Sequence, residues 1–149
     1  MGTRAVREIL VATDFSETAE SAVRLAHAHA AASGARLHVL HVSGSEEAEL
    51  KERLARLVAE LGTGVPVVIA WEGGDAAGEI VRYARAHEID LLVIGTHGRT
   101  GVGRVLAGSV AAAVIRTAPC LVLTVPPPAE LQLPQYKVRG AALEVADGP

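Results

Sequence analysis

The chain predicts a doubly wound α/β fold built on one five-stranded parallel sheet. Three observations carry that prediction. Five short apolar runs recur along the chain, at Ile9–Thr13, Arg36–Val42, Val65–Trp71, Ile89–Ile94 and Cys120–Val125. Between them lie segments with helical spacing of apolar residues, and strand-helix alternation of this kind closes into a parallel sheet. The composition agrees: 50% of the residues are hydrophobic but only 3% are aromatic. Such a core is made of Val, Leu, Ile and Ala, as suits central strands that are apolar on both faces. A length of 149 residues favours one domain with a substantial core.

The elements follow in order. After the first strand, Ser16 is a good helix N-cap, with Glu17 and Glu20 favourable in the first turns. Ala19, Ala22, Val23, Ala26 and Ala30 recur at helical spacing and should face the sheet, and Ser33-Gly34 ends that helix. In the second strand Leu37, Val39 and His41 share one face, and His38, Leu40 and Val42 the other. Packing or dimer contacts suit the two histidines better than metal. Ser45 can cap a second helix that begins with Glu46 and Glu47, carries the stripe Leu50, Leu54, Leu57, Val58 and Leu61, and closes at Gly62 and Gly64. Pro66 in the third run marks a strand start or a sheet edge. Asp75 caps a third helix bearing Ile80, Val81 and Ala84. A fourth helix spans about Ser109 to Thr117, Pro119 stops it, and the proline run 126–128 ends the domain.

The stretch from Gly95 to Ser109 holds five glycines in fifteen residues. Glycines permit a sharp turn and a close approach of backbone to ligand. A strand, then exposed amides, then a helix N-terminus make a phosphate site, and Arg99 and Arg104 add positive charge. Other phosphate loops are excluded. After Gly98 to Gly103, which have Walker A spacing, Arg104-Val105 stands where Lys and Ser or Thr are needed. The turn after the first strand has no glycine, so no dinucleotide fingerprint is present. A phospho-receiver would want clustered carboxylates and a lysine on the last strand, and the fifth run has none. A loop of this kind after strand 4 places the ligand beside Asp14 if the sheet order is 3-2-1-4-5 rather than 2-1-3-4-5.

Charge and cysteine content narrow the partners. A net charge of -3 argues against nucleic acid or anionic membrane as the main partner. No apolar run approaches the roughly 18 residues of a membrane span. No signal-peptide pattern precedes the first strand, and a cytoplasmic location is expected. The lone Cys120 excludes an internal disulfide and a cysteine-cluster metal site, and reads as a small hydrophobe.

The chain resembles the ATP-binding branch of the universal stress proteins, the UspA superfamily. The likeness rests on Ala12-Thr-Asp-Phe-Ser16, on Gly95-x-x-Gly98 followed after nine residues by Gly108-Ser109, and on Ala118 to Val125. It spans about residues 5 to 126. The resemblance implies the order 3-2-1-4-5 and a homodimer joined through the fifth strand, Leu121 to Val125. An apolar strand edge left unpaired is a liability that a two-fold contact removes. It also implies ATP between strands 1 and 4. Asp14 would meet the ribose or a bound metal, and Ala12, Thr13 and the Val42 backbone would flank adenine. Gly95, Gly98, Arg99, Gly108, Ser109 and Val110 would hold ribose and phosphates. Mg²⁺ would be held mostly by phosphates and water rather than by protein ligands.

A dimeric, nucleotide-responsive regulator of a stress response needs no catalytic residue, and none is assigned. The alternatives are a slow ATPase or nucleotide-processing enzyme and a nucleotide-independent dimeric scaffold. For the first, Asp14, His97 and Arg99 are the visible candidates, without a marked general base. Residues 127–149 form a separate tail. It is either an unstructured end or an extended arm that docks on the domain or on a second subunit, in keeping with the alternating Leu131/Leu133 and Tyr136/Val138 pairs.

Overall fold

The computed structural model describes residues 5–44, 48–96 and 108–127, together with the backbone of two strands at 136–139 and 142–145. The elements are β1 (Glu8–Ala12), α1 (Glu17–Ser33), β2 (Arg36–Val42), α2 (Ala48–Glu60), β3 (Val67–Glu72), α3 (Ala76–Ala86), β4 (Leu91–Gly95), α4 (Ser109–Thr117), β5 (Leu121–Val125), β6 (Tyr136–Arg139) and β7 (Ala142–Val145). The first five strands form one sheet in the order β3-β2-β1-β4-β5, and every neighbouring pair in it is parallel. This is the expected order.

Alternation along each strand sorts the core into two layers. Ile9 and Val11 of β1, with Leu37 and Val39 of β2, pack against Ala22, Val23 and Ala26 of α1 and Leu54 and Leu57 of α2. Leu10, Leu40, Leu92 and Ile94 pack on the other face against Ile80, Tyr83 and Ala84 of α3 and Ala111 and Val114 of α4. Most of the largest fully buried side chains stand on β1, β2 and β4. Each contributes about 1.5–3 kcal/mol of hydrophobic stabilisation.

The helix ends follow local chemistry. The Ser16 side chain accepts from the Ala19 amide at 3.1 Å, and Asp75 accepts from the Gly78 amide at 2.9 Å. Gly34 closes α1 in the left-handed region at φ 71°, where glycine meets no Cβ penalty. Gly62 and Gly64, at φ 92° and 100°, follow α2 in the same region. The expected start of α2 at Ser45 to Glu47 lies outside the described residues.

Several strand boundaries shift from expectation by one or two residues: β1 is Glu8–Ala12 rather than Ile9–Thr13, β3 ends at Glu72 rather than Trp71, and β5 starts at Leu121 rather than Cys120. The third strand begins at Val67, because Pro66 has no amide for the ladder; its carbonyl accepts from Leu37 at 2.9 Å. The fourth begins at Leu91, since Ile89 still closes α3 through its amide to the Ala84 carbonyl. The same strand runs one residue further than expected, so that Gly95 is paired with Val125. In the tail, β6 and β7 form an antiparallel hairpin, with Tyr136 opposite Val145. β6 lies alongside α1, so this part of the tail takes up strand structure on the domain itself.

The two histidines of β2 point to opposite layers, as their alternation requires. His38 is buried and satisfied at both ring nitrogens, by the Tyr83 hydroxyl at 2.8 Å and Glu8 Oε2 at 2.7 Å. Burial, with the nearby negative charges of Glu72 and Glu8, raises the Tyr83 phenol above its ordinary value. Among the described residues no helix is long and apolar enough to cross a membrane.

Candidate site at the carboxyl edge of the sheet

The strand order reverses between β1 and β4, and their carboxyl ends open the crevice where ligands bind in sheets of this class. β1 and β4 pair as far as Val11 with Val93. Beyond that point β1 leads into the turn Thr13-Asp-Phe15, and β4 into Gly95-Thr96.

The first turn is tightly specified. The Thr13 amide donates to the Leu40 carbonyl at 2.9 Å. Thr13 Oγ1 accepts from the Phe15 amide at 3.1 Å, and Asp14 Oδ1 accepts from the Ser16 amide at 3.0 Å. Asp14 is half-buried, whereas Thr13 is buried. Phe15 sits at φ 64°, in the left-handed region. For a bulky residue this costs of order 1–3 kcal/mol, which persists only where surrounding contacts hold it.

The second turn depends on its glycines for packing. A Cβ on Gly95 would stand 2.7 Å from Thr18 Cγ2, so the absent side chain lets the first turn of α1 close onto the end of β4. Gly108 is in the left-handed region at φ 79°, and a Cβ there would strike the Thr96 carbonyl oxygen. Thr96 is itself tied to β5 through its amide and the Val125 carbonyl at 2.9 Å. The glycines thus draw the N-termini of α1 and α4 to the ends of β1, β4 and β5.

At α4 the cap residue is Gly108, with no side-chain cap bond, and Ser109 is the first helical residue. Ser109 is therefore not the N-cap. Gly108 supplies no capping side chain, and the first-turn amides have no partner within the helix. Ser109 and Val110 are exposed. An anion would find amide donors and the positive end of the helix dipole in this turn. The donor set suits a phosphate ester.

Of the expected site residues, Ala12, Thr13, Asp14, Val42, Gly95, Gly108, Ser109 and Val110 stand at the carboxyl edge or at the N-terminus of α4. Gly98 and Arg99, with His97 and Arg104, lie outside the described residues. Val42 ends β2 opposite Glu72, half-buried on the α3 side. No group of three or more His, Cys, Asp or Glu among the described residues could hold a metal ion. Residue-by-residue reading did not single out Phe15, Thr18 or Arg53 for the site. Arg53 of α2 lies over the Phe15 ring, 4.8 Å from its centroid. Cys120, beside β5, is half-buried, and burial with the Asp90 charge raises its thiol above the usual range.

Known proteins are similar to this chain in sequence and fold. The model of the universal stress protein family matches residues 5–49 and 42–126. A universal stress protein of Thermus aquaticus is 38% identical over 135 residues, covering 80% of this chain and 98% of its own length. One from Methanocaldococcus jannaschii is 51% identical over 55 residues, which are 37% of this chain and 32% of that protein. Among solved structures, UspA from Lactobacillus plantarum is similar at 25% identity and TM-score 0.69, covering 83% of this chain and 99% of its own. A universal stress protein in complex with cAMP is 29% identical at TM-score 0.69, covering 82% of this chain and 98% of its own. One from Archaeoglobus fulgidus in complex with dAMP is 26% identical at TM-score 0.62, covering 82% and 99%.

Proposed function

This chain belongs to the universal stress protein family, and from that premise we propose that it binds an adenine nucleotide, ATP in the first instance. It would act as a dimeric nucleotide-responsive regulator in the cytoplasm. The observation that carries this reading is the convergence of the Thr13–Phe15 turn and the glycine-capped N-terminus of α4 at the point where the strand order reverses. The complexes of similar proteins with cAMP and dAMP support the same ligand class.

In this reading Ala12, Thr13 and the Val42 backbone flank the base, and Asp14 faces the ribose. The amides of Ser109 and Val110, the Ser109 hydroxyl, and Gly95, Gly98, Arg99 and Gly108 serve ribose and phosphates. Mg²⁺ would reach the site on the phosphates, since its rigid hydration shell favours phosphate and water ligands. β5 is an edge strand whose Leu121 is 69% exposed, and Ile115 of the adjoining α4 is 53% exposed. That apolar margin suits pairing with the same strand of a second copy.

The test is acid extraction of the purified protein to identify any bound nucleotide, followed by calorimetric titration of the stripped protein. ATP with Mg²⁺, ADP, AMP and cAMP would each be used. Stoichiometric binding of ATP at micromolar or tighter affinity is expected, and the ranking of the four ligands defines the physiological occupant. Gly98→Val is expected to abolish the heat. An absence of bound nucleotide and of heat from all four would overturn the reading.

A further inference from the structure

We propose that His41 is a positioning residue for the nucleotide site, holding the Thr13–Phe15 turn through one hydrogen bond and one ring contact, with Trp71 of β3 behind it. This rests on the nucleotide reading above. His41 Nδ1 lies 2.7 Å from the Thr13 carbonyl oxygen. A carbonyl can only accept, so the imidazole must carry its proton on Nδ1. The ring is 6% exposed, and Nε2 has no hydrogen-bond partner among the described residues. A buried imidazole with one nitrogen left over is not optimised for its own solvation. It is placed for the bond that its other nitrogen makes.

The contacts around the ring point to the same turn. His41 stands opposite Trp71 in the β2–β3 register, and the two ring centroids are 4.6 Å apart. On the turn side, the Phe15 ring centroid is 4.8 Å away. Phe15 in turn meets the Arg53 guanidinium, and Arg53 Nη2 reaches the Phe15 carbonyl at 3.5 Å. A row of side chains from β3, β2, the turn and α2 therefore brackets the residue whose backbone is in the left-handed region. With Thr13 and Phe15 held in this way, the intervening Asp14 is presented at the crevice in one orientation. A preorganised turn spares the ligand the cost of ordering it.

His41→Leu and His41→Asn separate the roles. Leucine fills the space without a donor, and the asparagine amide can donate from nearly the position of Nδ1. In the ligand-free wild type, ¹⁵N spectra of the imidazole should show the Nδ1–H tautomer; the Nε2–H tautomer would overturn the proposal. Amide exchange at Phe15 and Ser16 should quicken about tenfold in His41→Leu, the equivalent of one hydrogen bond, and return towards wild type in His41→Asn. ATP affinity should follow the same pattern, with about a tenfold loss in the leucine variant and within about threefold in the asparagine variant. Equal exchange and affinity in wild type and His41→Leu would overturn it, as would an affinity loss in His41→Asn as large as in His41→Leu. A wild type that binds no nucleotide sinks the nucleotide reading instead, and the exchange and tautomer measurements then decide alone whether His41 holds the turn.

Discussion

A missing Cβ at Gly95 decides how closely α1 can approach the end of β4. Adding a methyl group there places it 2.7 Å from Thr18 Cγ2, with the Thr18 backbone carbon at 3.4 Å. Gly95→Ala is therefore expected to lower stability by about 1–3 kcal/mol through overpacking. Thr18→Ser removes the offending methyl and should recover a good part of that loss in the Gly95→Ala background. Urea denaturation of the four proteins in the cycle measures the coupling, and simple additivity would show that the contact does not set the packing. Gly108 differs, because its φ of 79° and the Thr96 backbone both oppose a side chain. A backbone obstacle cannot rotate away, and no comparable second substitution is available at that position.

At the scale of elements, β5 and β3 are the two edges of the sheet, and they are not alike. β3 turns outward through Val68 and Ile69, which are 36% and 47% exposed, and Leu121 on β5 is 69% exposed. The proposed dimer uses the β5 edge. Leu121→Glu would bring two carboxylates together at a two-fold contact and remove apolar area from it. The variant is expected to run as a monomer in light scattering coupled to gel filtration, with an unchanged circular dichroism spectrum. A dimer that survives would move the interface away from β5. The helices show the same link between local chemistry and packing. Ser16 and Asp75 each satisfy one first-turn amide, that of the third residue of α1 and of α3, and the apolar stripe behind each cap closes on its own side of the sheet.

On the scale of the whole molecule, the family match ends at residue 126 and the β6–β7 hairpin lies beyond it. Among the described side chains, both apolar layers are built from the five-stranded sheet and the helices α1 to α4. Deletion of residues 127–149 should thus leave a cooperative thermal transition and an unchanged secondary-structure spectrum. Loss of cooperative unfolding would mean that the hairpin beside α1 completes the core. A truncated chain that changes its association state would instead assign the tail to assembly.

Much of this architecture is legible in the order of residues, because strand alternation and helix caps act over a few neighbours. The bounds Arg36–Val42, the caps Ser16 and Asp75 and the span Ser109–Thr117 are local matters. So is the placement of His38 and His41 on opposite faces, which period two dictates. The glycine spacing marked the loop after β4 and, with the resemblance it carried, the strand order. Contacts across the sheet lay beyond such reading. Gly95 is small because of Thr18, which is far from it in sequence, and Gly108 because of Thr96. Phe15 holds a left-handed conformation within a bracket of Arg53, His41 and, behind it, Trp71, contributed by three different elements. The sequence by itself determined the strands and helices of the five-stranded domain and their alternation, since periodicity and capping are short-range, but not the β6–β7 hairpin of the tail. Only the tertiary structure decided which atoms hold that edge in shape, since close packing is settled by residues that meet after the chain has folded.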